Sequence, residues 1–263
     1  MFRIADPRVL ARQIEHTAHL PAGSAERFSG YAVLGVGFDS GHILAMRRFP
    51  QNSLGPAYTS IWHYAPDAGW TIFADVEPAL SCSRYFGRVA TAAVLTTISL
   101  TWTGPSTLVV SMEHPTLEWM LQLSSTVATR VYNRVSRLSP ERVRACRVVL
   151  TATSRAAERT LGTGKVALQG LVPNGQAFTA VPRMLWTVDH GAAVLQRQDL
   201  GRVRRLAEQI RLADFWIPKR GLFALAQSYL EPFDAARHTV APAVAIASPA
   251  KTRLSTQPRT RQT

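Results

Sequence analysis

YAVLGVGFDSGHILAMRRF (31–49) is two apolar runs of strand length around Asp39-Ser40-Gly41. The connection puts Gly41 where a hairpin needs positive φ, so residues 31–38 and 42–49 read as paired antiparallel strands. The same stretch nearly spells a dinucleotide-binding turn in GVGFDSG (35–41). Ser40 stands where the third glycine belongs, and a strand follows instead of a helix, so the hairpin reading prevails.

The pattern repeats outward. TSIWHY (59–64) and GWTIFADV (69–76) flank Ala65-Pro66-Asp67-Ala68. VLTTISLTW (94–102) and TLVVSM (107–112) flank Thr103-Gly104-Pro105-Ser106, and LEWMLQL (117–123) adds another strand. KVALQGL (165–171) and QAFTAV (176–181) flank Pro173-Asn174-Gly175, the strongest hairpin signal in the chain. MLWTVDH (184–190) and AAVLQRQ (192–198) close the series. Many hairpins with few edges fold into a barrel or a sandwich. The predicted class is mostly β: a lipocalin-like antiparallel barrel or two-sheet sandwich with a helical hairpin insertion. Residues 28–235 form the β-rich domain. A helical segment (1–27) precedes it, with Asp6 as cap and Pro7 in the first turn. Val203, Leu206 and Ile210 have helical spacing, and an apolar stretch, LFALAQSYL (222–230), follows. Residues 236–263 read as a disordered basic tail.

Between 124 and 164 the apolar period changes from two to about 3.6 residues. Val127, Val131, Val135 and Leu138 form one stripe; Val143, Cys146, Leu150, Thr153, Ala157 and Leu161 form another. Both stripes are expected to cover one end of the barrel. Arg130, Arg134, Arg137, Arg142, Arg144, Arg147, Arg155 and Arg159 face only Glu141 and Glu158 in this block. Arg130, Arg134 and Arg137 share a helical face, which suits an anionic membrane surface. The block lacks interleaved aromatics and any recognition motif, so nucleic acid is not an expected partner.

The net charge of +13 comes almost wholly from arginine. It points to phosphate-bearing partners or to arginine-rich genomic composition. Two cysteines, Cys82 and Cys146, are too few for a disulfide framework or a zinc set. His16 and His19 lack a third metal ligand, so no metal and no cofactor are expected. The uncharged stretch 89–112 is broken by Gly104-Pro105 and reads as strands, not a span. The N-terminus lacks the apolar core of a signal peptide. A cytoplasmic protein is expected, peripheral to the membrane if the basic helices engage lipid.

Five tryptophans fall on predicted strands: Trp62, Trp70, Trp102, Trp119 and Trp186. Polar groups stand near some of them. Barrels of this size either fill themselves or hold one small ligand. Trp62, His63, Arg84, Tyr85, Trp102, Trp119 and Trp186 are therefore the candidate ligand-binding residues, and His63 and Asp189 the candidate acid/base groups. SCSRYFG (81–87) is a candidate loop for a polar head group, and DFWIPKR (214–220) a candidate lid.

The order of hairpins, helical interruption and Trp-rich strands resembles lipocalin-like proteins of the carotenoid hydratase and tocopherol cyclase-like group, with IWHY (61–64) and GWTIF (69–73) carrying the resemblance. It extends over residues 28–200 and implies a barrel for a hydrophobic small molecule, lipid or isoprenoid-like. In some members of that group it implies cofactor-free hydratase, cyclase or isomerase-like chemistry. No catalytic residue of that group maps onto this chain.

Overall fold

The computed structural model describes residues 6–239. In chain order the elements are α1 (Pro7–Thr17), β1 (Glu26–Phe38), β2 (Ile43–Asn52), β3 (Tyr58–Ala65), β4 (Gly69–Ala74), α2 (Ser83–Phe86), β5 (Ala90–Leu95), β6 (Ile98–Trp102), β7 (Thr107–Met112) and β8 (Leu117–Ser124). Then come α3 (Val127–Leu138), α4 (Glu141–Arg144), α5 (Arg147–Leu161), β9 (Gln169–Leu171), β10 (Ala177–Leu195), β11 (Gln198–Asp199), β12 (Val203–Arg204), β13 (Arg211–Leu212), β14 (Phe215–Trp216) and β15 (Gly221–Leu230).

The protein is mostly β, as the turn grammar predicts. One sheet runs β5-β4-β3-β2-β1-β15-β10-β8-β7-β6. Its pairs are antiparallel except β4–β5, which is parallel and is bridged by the connection carrying α2. The sheet is curled but open, since β5 and β6 are not paired. Only Thr96 and Thr97 separate these two edge strands, so the edges approach within about 11 Å at that point.

Alternation sorts the side chains between two faces. The concave face carries Val33, Leu44, Met46, Ile61, Phe73, Leu108, Val110, Trp119, Leu121, Trp186 and Phe223 in one cluster. It joins strands far apart in the sheet, which is why the sheet curls. The convex face over β1–β4 carries Ile43, Ala45, Tyr58, Trp62, Trp70 and Ile72. A second layer made by α2 and residues 206–217 covers it.

Several local expectations change in three dimensions. Residues 94–102 are two strands on opposite edges, not one. Residues 184–198 lie mostly in one long strand, β10, where two strands are expected. Gly191 is no turn; a Cβ there would meet the carbonyl of Met120 at 2.5 Å, so glycine permits close pairing with β8. Residues 203–210 are not helical. Val203 and Arg204 pair with Phe38 and Gly37, and Leu206 N–H donates to the Lys219 carbonyl. Three apolar positions at helical spacing fit an extended segment equally well when its backbone finds tertiary partners.

The expected hairpin turns at Asp39-Ser40-Gly41 and Pro173-Asn174-Gly175 form, with φ of +81° at Gly41 and +96° at Gly175. Asp6 caps α1 by accepting from Arg8 N–H and Val9 N–H. Both cysteines are free. Among the described residues no helix is long and apolar enough to cross a membrane.

The two helical stripes part company. On α5, Leu150 and Leu161 are buried, and Leu150 packs on Leu168 and Val181. On α3 the apolar stripe faces outward, against expectation. The polar side packs on the sheet instead: Thr129, Asn133 and Ser136 are buried. Asn133 donates to the Leu185 carbonyl and accepts from the Leu185 N–H, at 2.9 and 2.7 Å. Tyr132 donates to the Pro182 carbonyl at 2.7 Å. Pro182 cannot donate to a neighbour and a register shift breaks the β10–β15 pairing beside it, so this stretch offers backbone polar groups that a polar helix face satisfies.

Candidate ligand site

The convex layer forms an open-sided cavity of about 80 Å³ whose walls include Arg47, Trp62, Cys82, Phe86, Phe178 and Phe215. Strand parity builds it. Ile43, Ala45, Arg47 and Phe49 alternate on β2, so Arg47 projects to the same side as the apolar cluster. Tyr58, Ser60 and Trp62 project beside it from β3. The segment before and within α2 supplies Cys82, Tyr85 and Phe86. Phe215 comes from the β13–β14 hairpin, which Asp214 fixes by accepting from Leu171 N–H at 3.0 Å and Arg211 Nη2 at 2.7 Å.

Arg47 is the group that sets the chemistry here. Its Nη1 donates to the carbonyls of Val33 and Met46, at 2.6 and 3.1 Å. Its guanidinium carbon lies 4.6 Å from the Trp62 ring centroid and 5.6 Å from that of Phe215. Its Nη2 is buried without a partner, and so is Nε1 of Trp62. Burial pushes the guanidinium down to about 10, and Cys82 and Tyr58, not a carboxylate, stand nearest to offset it. At neutral pH it therefore stays charged. Burial holds the Tyr58 hydroxyl well above its ordinary value, so it stays neutral. Ser60 Oγ donates to Cys82 Sγ at 3.3 Å, and Tyr58 Oη lies 3.6 Å from the same sulfur.

Glu26 holds Tyr85, one of the wall residues, from outside the cavity. Arg84 Nη2, Tyr85 Oη and Gln176 Nε2 donate to this carboxylate at 2.8, 2.5 and 3.1 Å. Burial works to raise Glu26, but these hydrogen bonds outweigh it and hold the carboxyl below its ordinary value. Arg84 also lies 4.9 Å from the Phe233 ring centroid.

The sequence-level candidates separate into several places. Trp62 and Tyr85 line the cavity, and Arg84 stands beside it with its charge taken by Glu26. Trp119 and Trp186 are fully buried in the concave core, and Trp102 packs against that core edge-on to Phe223. His63 leaves this group: its Nε2 lies 2.8 Å from Nδ1 of His42, the rings stacked. Burial and His42 push it down to about 4, so it is neutral at pH 7. Asp189 forms a two-toothed ion pair with Arg220, 2.6 Å at each oxygen, and accepts from Thr187. Burial raises its carboxyl, but the Arg220 and Thr187 hydrogen bonds prevail and keep it ionised. SCSRYFG (81–87) supplies a wall of the cavity and DFWIPKR (214–220) its cover. Sequence reasoning missed Arg47 as a residue lining the cavity, and Phe215 lines it from the expected lid. The available signal is a charge on a buried central strand at the same parity as Ile43 and Ala45.

A larger cavity of about 470 Å³ lies at the rim of the concave face, beside Tyr31, Arg48 and Trp102. Arg12, Glu15, Arg48 and Asp75 line it, and one ion pair forms among them. Glu15 accepts from Arg48 Nε and Nη2 and from Tyr31 Oη. Among the described residues no group of three His, Cys, Asp or Glu side chains is placed to hold a metal ion.

No family model matches the chain, and no curated protein matches it at a significant level. Among solved structures, the chain is similar to an acetoacetate decarboxylase from Legionella pneumophila subsp. pneumophila str. Philadelphia 1. The identity is 12%, the TM-score is 0.39, and the match covers 86% of this chain and 93% of that one. A likeness of that degree assigns no residue and no chemistry to this protein.

Proposed function

We propose that this protein binds a small organic acid with an apolar body, its carboxylate on Arg47 and its hydrocarbon among Phe86, Phe178 and Phe215. The observation that carries this reading is the buried guanidinium with an unpartnered Nη2. A buried charge without a counter-charge costs several kcal/mol, so it is retained where something else supplies the counter-charge. Both orphaned groups in the cavity wall, Arg47 Nη2 and Trp62 Nε1, are donors. The missing partner is therefore an acceptor, and a carboxylate fits a guanidinium edge with two parallel hydrogen bonds.

A hydrophobic guest is the sequence-level expectation, and the aromatic walls suit its apolar part. About 80 Å³ is well below the roughly 300 Å³ at which drug-sized pockets begin. This favours a shorter molecule than the isoprenoid or lipid that the resemblance implies.

The test is calorimetry and thermal shift with acetate, butyrate, benzoate and phenylacetate against the corresponding amides. At least one acid should bind about tenfold or more tightly than its amide, the difference that a charge-assisted hydrogen bond supplies. Arg47→Met should erase that preference while the protein stays folded. Acids and amides that bind alike, or an Arg47→Met protein that still prefers the acid, would overturn the reading.

A further inference from the structure

The outward stripe of α3 departs from the usual packing of an amphipathic helix, whose apolar face is buried. Successive helical residues are about 100° apart. Val127, Val131, Val135 and Leu138 therefore fall within roughly 80° of one another, nearly opposite buried Thr129, Asn133 and Ser136. The four apolar side chains are 67, 58, 58 and 80% exposed. Farther along the chain, Val143 on α4 and Val148 on α5 are 45 and 74% exposed. Asn133 and Tyr132 lock this orientation through backbone groups of β10. The ridge cannot turn inward without breaking those bonds.

Arginines flank it on one side. Arg130 and Arg137 are exposed on the helix surface between the ridge and the sheet. Below Arg137 a groove of about 360 Å³ is lined by Arg137, Arg144, Arg183 and Ser136. Arg144 Nη1 is occupied by the carbonyls of Ser136 and Ser139, but its Nε is buried without a partner. Ser136 Oγ is buried without one too, and the residue is 4% exposed. The groove thus holds three guanidinium groups and unfilled hydrogen-bonding capacity.

We infer that α3 docks this protein on an anionic phospholipid surface, with Val127, Val131, Val135 and Leu138 in the acyl boundary and the flanking arginines on lipid phosphates. Charge selects this occupant. The block 124–162 offers a partner only two acids, and Glu141 already accepts from Tyr229. A second copy placed on the ridge would bring like-charged rows together. An anionic bilayer offers a greasy boundary and phosphate in the same plane, which is what an apolar ridge bordered by arginine matches.

The experiment is flotation of the full chain with vesicles of phosphatidylglycerol and phosphatidylcholine, against phosphatidylcholine alone. The wild type should float with the mixed vesicles only, and less so as salt rises. Val131→Asp/Val135→Asp should abolish flotation. Arg130→Gln/Arg137→Gln should weaken partitioning roughly thirty-fold, the loss expected for two basic residues at a charged surface. All four positions are exposed, so an unchanged melting temperature shows that the fold is intact. Sedimentation velocity without lipid should give the same species for the wild type and the valine variant. Wild type that stays off anionic vesicles, a valine variant that floats normally, or a dimer that the valine variant abolishes would each overturn the inference.

Discussion

Arg47 shows how a single residue can oppose stability. Its desolvated charge gains two carbonyl hydrogen bonds and two aromatic contacts, but no carboxylate. Replacing it with an apolar side chain of similar length removes the charge and leaves the packing. Arg47→Met should therefore be neutral or more stable by about 1–4 kcal/mol in urea unfolding without ligand. A loss of stability would mean that the guanidinium is paired in the free protein. His63 makes the opposite kind of statement. Its folded value of about 4 lies below the ordinary 6.5, so the unfolded chain binds more protons between those limits. Stability from this group is full above pH 6.5 and is lost as pH falls toward 4. Urea midpoints of His63→Asn should decline less over that window than those of the wild type. At this scale the sequence is legible only in part. Trp62 and Tyr85 stand out as aromatics near polar groups, and they reach the cavity. Arg47 does not stand out, because strand parity becomes a facing direction only once the covering layer is known.

The elements divide by where their backbone bonds go. Hairpins close on themselves, so Asp39-Ser40-Gly41 and Pro173-Asn174-Gly175 announce their strands locally. Residues 203–217 find partners across the molecule, in Gly37, Phe38 and Lys219, so their spacing alone misleads. The helix α3 is the extreme case. Its apolar stripe is real, but its orientation is fixed by polar contacts with β10. Asn133→Ala should strand a buried N–H and a buried carbonyl of Leu185. The expected cost is roughly 2–4 kcal/mol, with faster hydrogen exchange at Leu185 and along α3. Equal exchange in the two proteins would show that other contacts hold the helix. Gly30 sits in the bulged pairing of β1 with β2, where a Cβ would run into the carbonyl of Arg48. That neighbour is backbone and cannot step aside. Gly30→Ala should lower stability by more than about 3 kcal/mol, seen as a large fall in the urea midpoint.

Across the whole molecule, two depressed carboxylates tie distant segments together. Glu26 joins the start of β1 to α2 and to Gln176 before β10; Asp189 joins β10 to Arg220 before β15 and, through it, to the carbonyl ending α5. Both hold below their ordinary values, so their contribution is full above about pH 4 and is lost as pH falls further. Glu26→Gln/Asp189→Asn should be less stable at neutral pH, and its urea midpoint should drop less than the wild type's between neutral pH and pH 3. Parallel loss in both proteins would place the acid sensitivity elsewhere.

The amino-acid order alone determined the β class, the turns at Gly41 and Gly175 and the basic helical block. Each of these depends on residues close in the chain, through glycine φ, proline and apolar period. Tertiary structure decided which edge β5 and β6 occupy, which face of α3 meets water, and which arginine loses its solvent. Those outcomes depend on what covers a surface, and the covering groups lie tens or hundreds of residues away.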